Sequence, residues 1–287
     1  HLSVSDIELI SIPFFSAAEQ ICIADVLDTL DEAIRGTASI INKLLAAKQG
    51  LIRDLLTNGI DHNGDRRDMN RNPSGFVSTK LGNIPRSWRV ARLSDCCQAI
   101  VDCPHSTPKF LSQGVLVART MHIKEGQFDT TLASRVSEDE YRVRVARLEP
   151  APGDIIFTRE APVGEAFVVP AEMKICLGQR VMLLRPDPSV VLGEYLVAQI
   201  YSGVVQSRIK LLTGGTTNPH LNVAEVRGFT IPIPPVEEQK ALVEVLQRYE
   251  GLLQTEKGRL DKLESLKSGL STDLLTGRVR VPDGASA

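Results

Sequence analysis

From residue 246 to residue 274 the side chains Leu246, Tyr249, Leu253, Glu256, Leu260, Leu263, Lys267, Leu270 and Leu274 recur at alternating steps of three and four. This spacing is the heptad seam of a coiled-coil helix. Leu27, Leu30, Ile34, Thr37, Ile41, Leu44, Lys48, Leu51 and Leu55 trace the same seam near the start of the chain. Polar residues interrupt both seams at equivalent places, Thr37 with Glu256 and Lys48 with Lys267. The whole segments 10–57 and 229–276 align without a gap at one constant offset, with Ile12 and Pro13 on Ile231 and Pro232, Glu19-Gln20 on Glu238-Gln239, and Asp54-Leu55-Leu56-Thr57 on Asp273-Leu274-Leu275-Thr276. Each copy starts at proline and ends near a turn residue, Gly59 or Gly277. About 40 residues at ~1.5 Å each gives two helices on the order of 60 Å long. A stripe of that length must be covered. Helices with matched length and matched interruptions are expected to pair with each other, antiparallel; pairing with other subunits and packing on the adjacent domain are the alternatives. Gly50 and Gly269 lie within the pattern, where glycine costs about 1 kcal/mol relative to alanine; their repetition suggests close approach by another backbone, the alternative being a tolerated weak point.

Between the helices the pattern changes. Residues 60–80 are rich in Asn, Gly, Asp and Arg and read as an exposed connector; Arg66, Arg67 and Arg71 could touch phosphates there. Residues 81–235 carry short β-rich runs at 88–93, 115–120, 154–158, 166–169 and 180–184, separated by Pro/Gly turns, and one helical stretch at 193–212 with Leu196, Ile200 and Val204 on a face. The expected fold class is α+β: a globular α/β domain with an irregular sheet, flanked by two long helices in an antiparallel coiled coil. The expected organisation is a tail of a preceding domain (1–9), a long helix (10–59), a linker (60–80), the globular domain (81–235), a second long helix (236–277) and a C-terminal tail (278–287). The tail is inferred from the repeat itself, because His1-Leu2 falls on His220-Leu221 and Val4 on Val223. The expected protein is therefore longer, alternating globular domain and helix.

Composition adds bounds. The formal net charge is -2, and 17 Lys and Arg face 15 Asp and Glu over 81–235, so bulk charge does not advertise nucleic-acid binding. No apolar run approaches the ~20 residues needed to span a bilayer. Five cysteines, an odd number without a regular framework, fit a reducing cytoplasm.

Enzymatic signatures are scarce. The chain has no phosphate loop ending in Gly-Lys-Ser/Thr, no dinucleotide fingerprint and no Gly-x-Ser-x-Gly elbow. Asn72-Pro73-Ser74 and Asn218-Pro219-His220 depart at the third residue from the Asn-Pro-Pro-aromatic motif of amino-methyltransferases. Cys96, Cys97, Cys103 and His105 lie close in sequence, yet their spacing resembles no zinc knuckle. Cys103 with His105 as nucleophile and base lacks a group to orient the histidine. Polar loop clusters stand out instead: 101–109, Arg119-Thr120, Thr158-Arg159-Glu160, Gln179-Arg180 and 213–218. Side chains of these types read base edges and phosphates, and they are also ordinary turn and surface chemistry.

Several of these stretches together resemble one known family. Gly82-Asn83-Ile84-Pro85-Arg86-Ser87-Trp88, the run Val-Asp-Cys-Pro-His-Ser-Thr-Pro at 101–108, Thr-Arg-Glu-Ala-Pro-Val-Gly at 158–164, Gly-Thr-Thr-Asn-Pro-His-Leu at 215–221, Ile-Pro-Ile-Pro-Pro-Val-Glu-Glu-Gln at 231–239 and Asp-Leu-Leu-Thr-Gly-Arg-Val at 273–279 are similar to type I restriction-modification specificity subunits. The resemblance implies two recognition domains, each reading half of a split DNA sequence in the major groove, held apart by two antiparallel helices acting as a ruler. A rod of roughly 60 Å corresponds to about 17 or 18 base pairs at ~3.4 Å each. It also implies methyltransferase subunits that bring S-adenosylmethionine and the catalytic residues, and a restriction/translocase subunit for cleavage. The specificity subunit itself catalyses nothing. One recognition domain here means either the second half of a longer subunit or a half-length subunit that dimerises; the first is expected. The DNA-contacting residues expected are Lys109, Arg119, Arg159, Arg180, Thr216, Thr217 and Asn218. The competing reading is a coiled-coil assembly scaffold whose globular domain binds protein.

Overall fold

The computed structural model describes residues 13–215 and 219–281, so the expected tail of a preceding domain at 1–9 lies outside the described residues. The described residues form two compact units, one from the stretches up to residue 49 and from residue 247 on, the other from residues between 50 and 246. Each long helix crosses the division. The first, α1, spans Ala17–Asn58, and both recurring segments are helical as the heptad pattern requires.

Within the first unit every seam position of the first copy from Leu27 to Lys48, and of the second from Tyr249 to Leu274, is buried or half-buried, while most positions between them are exposed. Leu253, Leu274, Ile23 and Ile41 are the buried apolar residues of this unit, and Thr37 is buried with them. The direction of pairing follows from the cross-helix ion pairs. Glu19 meets Arg280, Asp31 meets Lys267 and Lys48 meets Glu250, so numbers rise along one helix as they fall along the other. The pairing is antiparallel. Asp31 and Lys48 are the repeat equivalents of Glu250 and Lys267, which makes the two inner ion pairs one interaction seen twice about a local pseudo-twofold axis. The lysines that break the seam thus do so to reach a carboxylate across it.

At the start of α1, Ser16 and Glu19 form a reciprocal capping box, with Glu19 N–H on Ser16 Oγ at 3.2 Å and Ser16 N–H on Glu19 Oε2 at 3.0 Å. Arg280 then closes both oxygens of Glu19 at 2.8 Å. The Ser16 amide and this guanidinium hold the Glu19 carboxyl below its ordinary range. Gly50 and Gly269 do not mark a close backbone approach within the chain: a Cβ at either would meet nothing within 4 Å. Gly36, Gly251 and Gly258 are equally open.

The second unit is layered. Its strands include β1 Phe76–Thr79, β2 Gly82–Pro85, β3 Arg89–Arg92, β4 Cys97–Asp102 and β5 Val115–Ala118, with α2 Leu93–Cys96 as a single turn before β4. Then follow β6 Ile123–Lys124, β7 Gln127–Phe128, β8 Ser134–Val136, α3 Glu138–Arg144, β9 Ile155–Thr158, β10 Ala166–Val168, β11 Ile175–Leu177 and β12 Val181–Pro186. The elements α4 Gly193–Ile200, α5 Gly203–Thr213, α6 Val223–Arg227, β13 Thr230–Ile233 and α7 Val236–Leu275 complete it. An antiparallel four-stranded sheet, ordered β10-β9-β12-β4, forms the middle. Its strands are apolar on both faces because both are covered. Ile155 and Phe157 face one core with Tyr195, Leu196, Leu56 and Leu242, whereas Ile156 and Leu183 face a second core with Phe167, Ile175 and Leu177. A three-stranded sheet, β11-β5-β8, closes that second core, and its outer side packs Val115, Val117 and Cys176 on Tyr141 of α3.

Three readings of the sequence are revised here. The helix expected over 193–212 is broken at Tyr201-Ser202, which shifts the buried face from Val204 to Val205 and Ile209. The Tyr201 hydroxyl is anchored at this break: it accepts the Gly126 and Ala166 amides at 2.9 and 3.0 Å and lies 2.8 Å from Glu165 Oε2. Strands β4 and β11 were not expected. Residues 60–80 are less exposed than their composition suggests, since Ile60 and Phe76 are buried, β1 pairs with β2, and Arg67 is bound to Glu238 through both guanidinium nitrogens, the second at 3.1 Å. Gly59 ends α1 at φ +65, and a Cβ there would collide with Glu238 and Trp88. Gln239, fully buried, seats α7 by accepting the Leu192 amide and donating to the Val190 and Pro234 carbonyls, each at 2.9 Å.

Candidate nucleic-acid interface

The polar loops named from the sequence are brought to one side of the 50–246 unit by strand order. Strand β4 ends at Asp102, β12 starts at Val181 and β9 ends at Thr158, and β12 pairs with both neighbours, so the loops 102–111, 177–180 and 158–164 emerge at the same end of the sheet. They are tied together there. Thr107 Oγ1 lies 3.2 Å from Gln179 Oε1, and Gln179 Nε2 donates to the His105 carbonyl at 3.2 Å. The buried Arg144 guanidinium donates to the Ser106 carbonyl at 2.5 Å. Glu160 and His220 form an isolated antiparallel β-bridge through their backbones, which brings His220 alongside.

The expected DNA contacts occupy different situations on this face. Lys109 is exposed. Arg119 is half-buried, with Nη1 donating to Ser134 Oγ at 3.2 Å and its guanidinium 4.8 Å above the Phe110 ring. Arg159 is only 12% exposed and its Nε is committed to Asp102 Oδ1 at 3.0 Å. Arg180 is 60% exposed, with Nε 3.1 Å from Glu160 Oε2. Thr216, Thr217 and Asn218 lie outside the described residues. His105, Gln179, Phe110 and Ser134 join the same face without having been singled out as contacts; proximity to Lys109 and Arg180 in the sequence was the signal for the first three.

The thiol chemistry weighed from sequence has little to work with. Cys103 is buried, and burial pushes its thiol up; Cys96 and Cys97 are pushed up to about 11 and about 12 for the same reason. His105 Nε2 faces Asp102 at 3.3 Å. Among the described residues no three His, Cys, Asp or Glu side chains are grouped to hold a metal ion, and no helix is long and apolar enough to cross a membrane.

Residues 123–265 match the type I restriction modification DNA specificity domain. The match continues over nearly the whole chain in individual proteins: the MjaVIII specificity subunit of Methanocaldococcus jannaschii is 24% identical over 98% of this chain and 65% of its own length. The chain belongs to the type I restriction-modification specificity family. The EcoBI specificity subunit of Escherichia coli is 21% identical over 85% of the chain and 52% of its own length. Among solved structures, the HsdS subunit from Thermoanaerobacter tengcongensis superposes with a TM-score of 0.54 at 18% identity, over 90% of this chain and 57% of that one. A chain described under complex assembly and conformational transition of the type I R-M system gives 0.58 at 21%, over 96% and 64%. This member of the specificity family spans less than two thirds of the length of these relatives. The family's fold, a mixed domain with long helices, is the one described above.

Proposed function

We propose that residues 81–235 read one half of a two-part DNA sequence and that the paired helices set the spacing to a second reader while carrying methyltransferase subunits. The chain catalyses no step itself. Methyl transfer, with S-adenosylmethionine, resides in those methyltransferase partners, and cleavage in a restriction/translocase subunit, all in the cytoplasm. The observation that carries this reading is the gathering of donor-rich loops from three separated stretches onto one sheet end in a domain of the specificity family. Such loops, braced by each other and by Arg144, can present side chains to base edges without ordering costs at each contact. The near-neutral charge is compatible with it, because neighbouring subunits would share the phosphate contacts.

The test is methylome sequencing of a host with and without the gene, supplied with its methyltransferase. A bipartite methylated motif that appears only with the gene supports the reading. Identical methylomes contradict it and favour the scaffold, whose partner binding would persist at high salt, where phosphate-dependent complexes weaken steeply.

A further inference from the structure

We propose that Arg180 reads a guanine in the major groove and that Glu160 is the residue that aims it, an assignment that rests on residues 81–235 being a DNA reader. The three arginines of the face differ in what their guanidinium groups have left to offer. Arg159 is spent, with Nε on Asp102, Nη1 3.5 Å from the Leu221 carbonyl and Nη2 3.8 Å from Glu160. Arg119 is placed over the Phe110 ring with one terminal nitrogen on Ser134. Arg180 alone of the three meets its carboxylate most closely through Nε, and neither of its terminal nitrogens donates a hydrogen bond among the described residues. That is the end-on fork that matches guanine O6 and N7, the commonest specific contact of an arginine with a base edge. Lysine can donate to the same two acceptors, but it lacks the planar fork and holds them less selectively.

The backbone supports the same assignment. Arg180 has φ 68, in the left-handed region where glycine is the usual residue and a long side chain is disfavoured. Strain of this kind persists where surrounding structure over-determines it, and it concentrates at functional positions. Here the Arg180 carbonyl accepts the Arg159 amide at 3.0 Å, and the adjoining Gln179 is tied to His105 and Thr107. The turn is therefore a fixed post. The Glu160 backbone is held by its β-bridge to His220, and its carboxylate, 3.1 Å from Arg180 Nε, sets the direction of the fork.

The experiment compares methylomes from hosts carrying the wild-type gene, Arg180→Ala, Arg180→Lys, Glu160→Gln and Lys109→Ala, each with its methyltransferase, and checks co-purification of every variant with that partner. The expected wild-type half-site contains a G·C pair at which Arg180→Ala lowers methylation of the cognate sequence roughly 10- to 100-fold. The residual sites should be degenerate at that pair alone. Arg180→Lys should keep assembly and show a milder degeneracy at the same single position, and it decides the matter if Arg180→Ala does not assemble. Glu160→Gln should relax the same pair to a smaller degree, which general destabilisation would not do. Lys109→Ala should lower methylation at all sites with the motif unchanged. An Arg180 variant that assembles and keeps the full motif, or one that relaxes an A·T pair, overturns the assignment while leaving the DNA-reading domain intact. A wild-type gene that directs no sequence-specific methylation overturns the underlying reading and the assignment with it.

Discussion

Replacing Gly50 and Gly269 by alanine should make the protein more stable. Both lie in helix interiors, both are exposed, and an added Cβ meets nothing within 4 Å at either site. Glycine in such a position costs about 0.8–1 kcal/mol in peptide helices, and the gain through the unfolded chain in proteins is about 0.4–1 kcal/mol. The double variant should therefore gain about 1–2 kcal/mol. With roughly 2–4 °C per kcal/mol for a chain of this size, its thermal midpoint should rise by about 2–8 °C, read by far-UV circular dichroism on matched samples. A lowered midpoint would refute the reasoning, because it would mean that another backbone approaches these positions in solution, as their repetition in the sequence first suggested. A stabilised variant that no longer co-purifies with methyltransferase subunits would place that approach in the assembly instead.

Three further outcomes are expected. Gln239→Ala should destabilise the 50–246 unit by about 1–3 kcal/mol in chemical denaturation, since it strips the half-buried Leu192 amide of its acceptor at 2.9 Å. Lys48→Glu should lower stability by about 0.5–1 kcal/mol, and adding Glu250→Lys should restore it; a double variant no better than the single would show that the two residues do not meet across the seam. His122 is buried, and burial followed by the Arg119 charge holds its imidazole below the ordinary 6.5. The unfolded chain thus takes up this proton first, so stability is full above pH 6.5 and falls as pH drops towards the lowered value. His122→Phe should flatten that slope in denaturation curves across the window, and an unchanged slope would contradict it.

The parts of the fold that could be read directly were those whose pattern is local. A heptad sustained over nine positions and recurring at a constant offset admits one explanation, and the seam residues are the shielded ones. The runs at 154–158 and 180–184 announced β9 and β12 because strands buried on both faces are continuously apolar. Strand β11 escaped because three residues, Ile175–Leu177, carry too little pattern, and β4 because Cys97–Asp102 ends in an aspartate whose role is to hold Arg159, 57 positions away. The same remoteness limits the site. Arginines 159 and 180 look alike in sequence, and only the placement of Asp102 and Glu160 distinguishes the one that is buried and paired from the one that reaches outward. The exposed connector was misjudged for a similar reason: Arg67 finds its carboxylate at Glu238, beyond the whole domain.

The central claim is that this chain chooses a DNA sequence without chemistry of its own. Selection from random duplex DNA by the chain complexed with its methyltransferase subunits, in the absence of S-adenosylmethionine, tests it most directly. Enrichment of one half-site containing a G·C pair, with affinity falling steeply as salt rises, is the expected result; a bound pool with no common sequence would contradict the account.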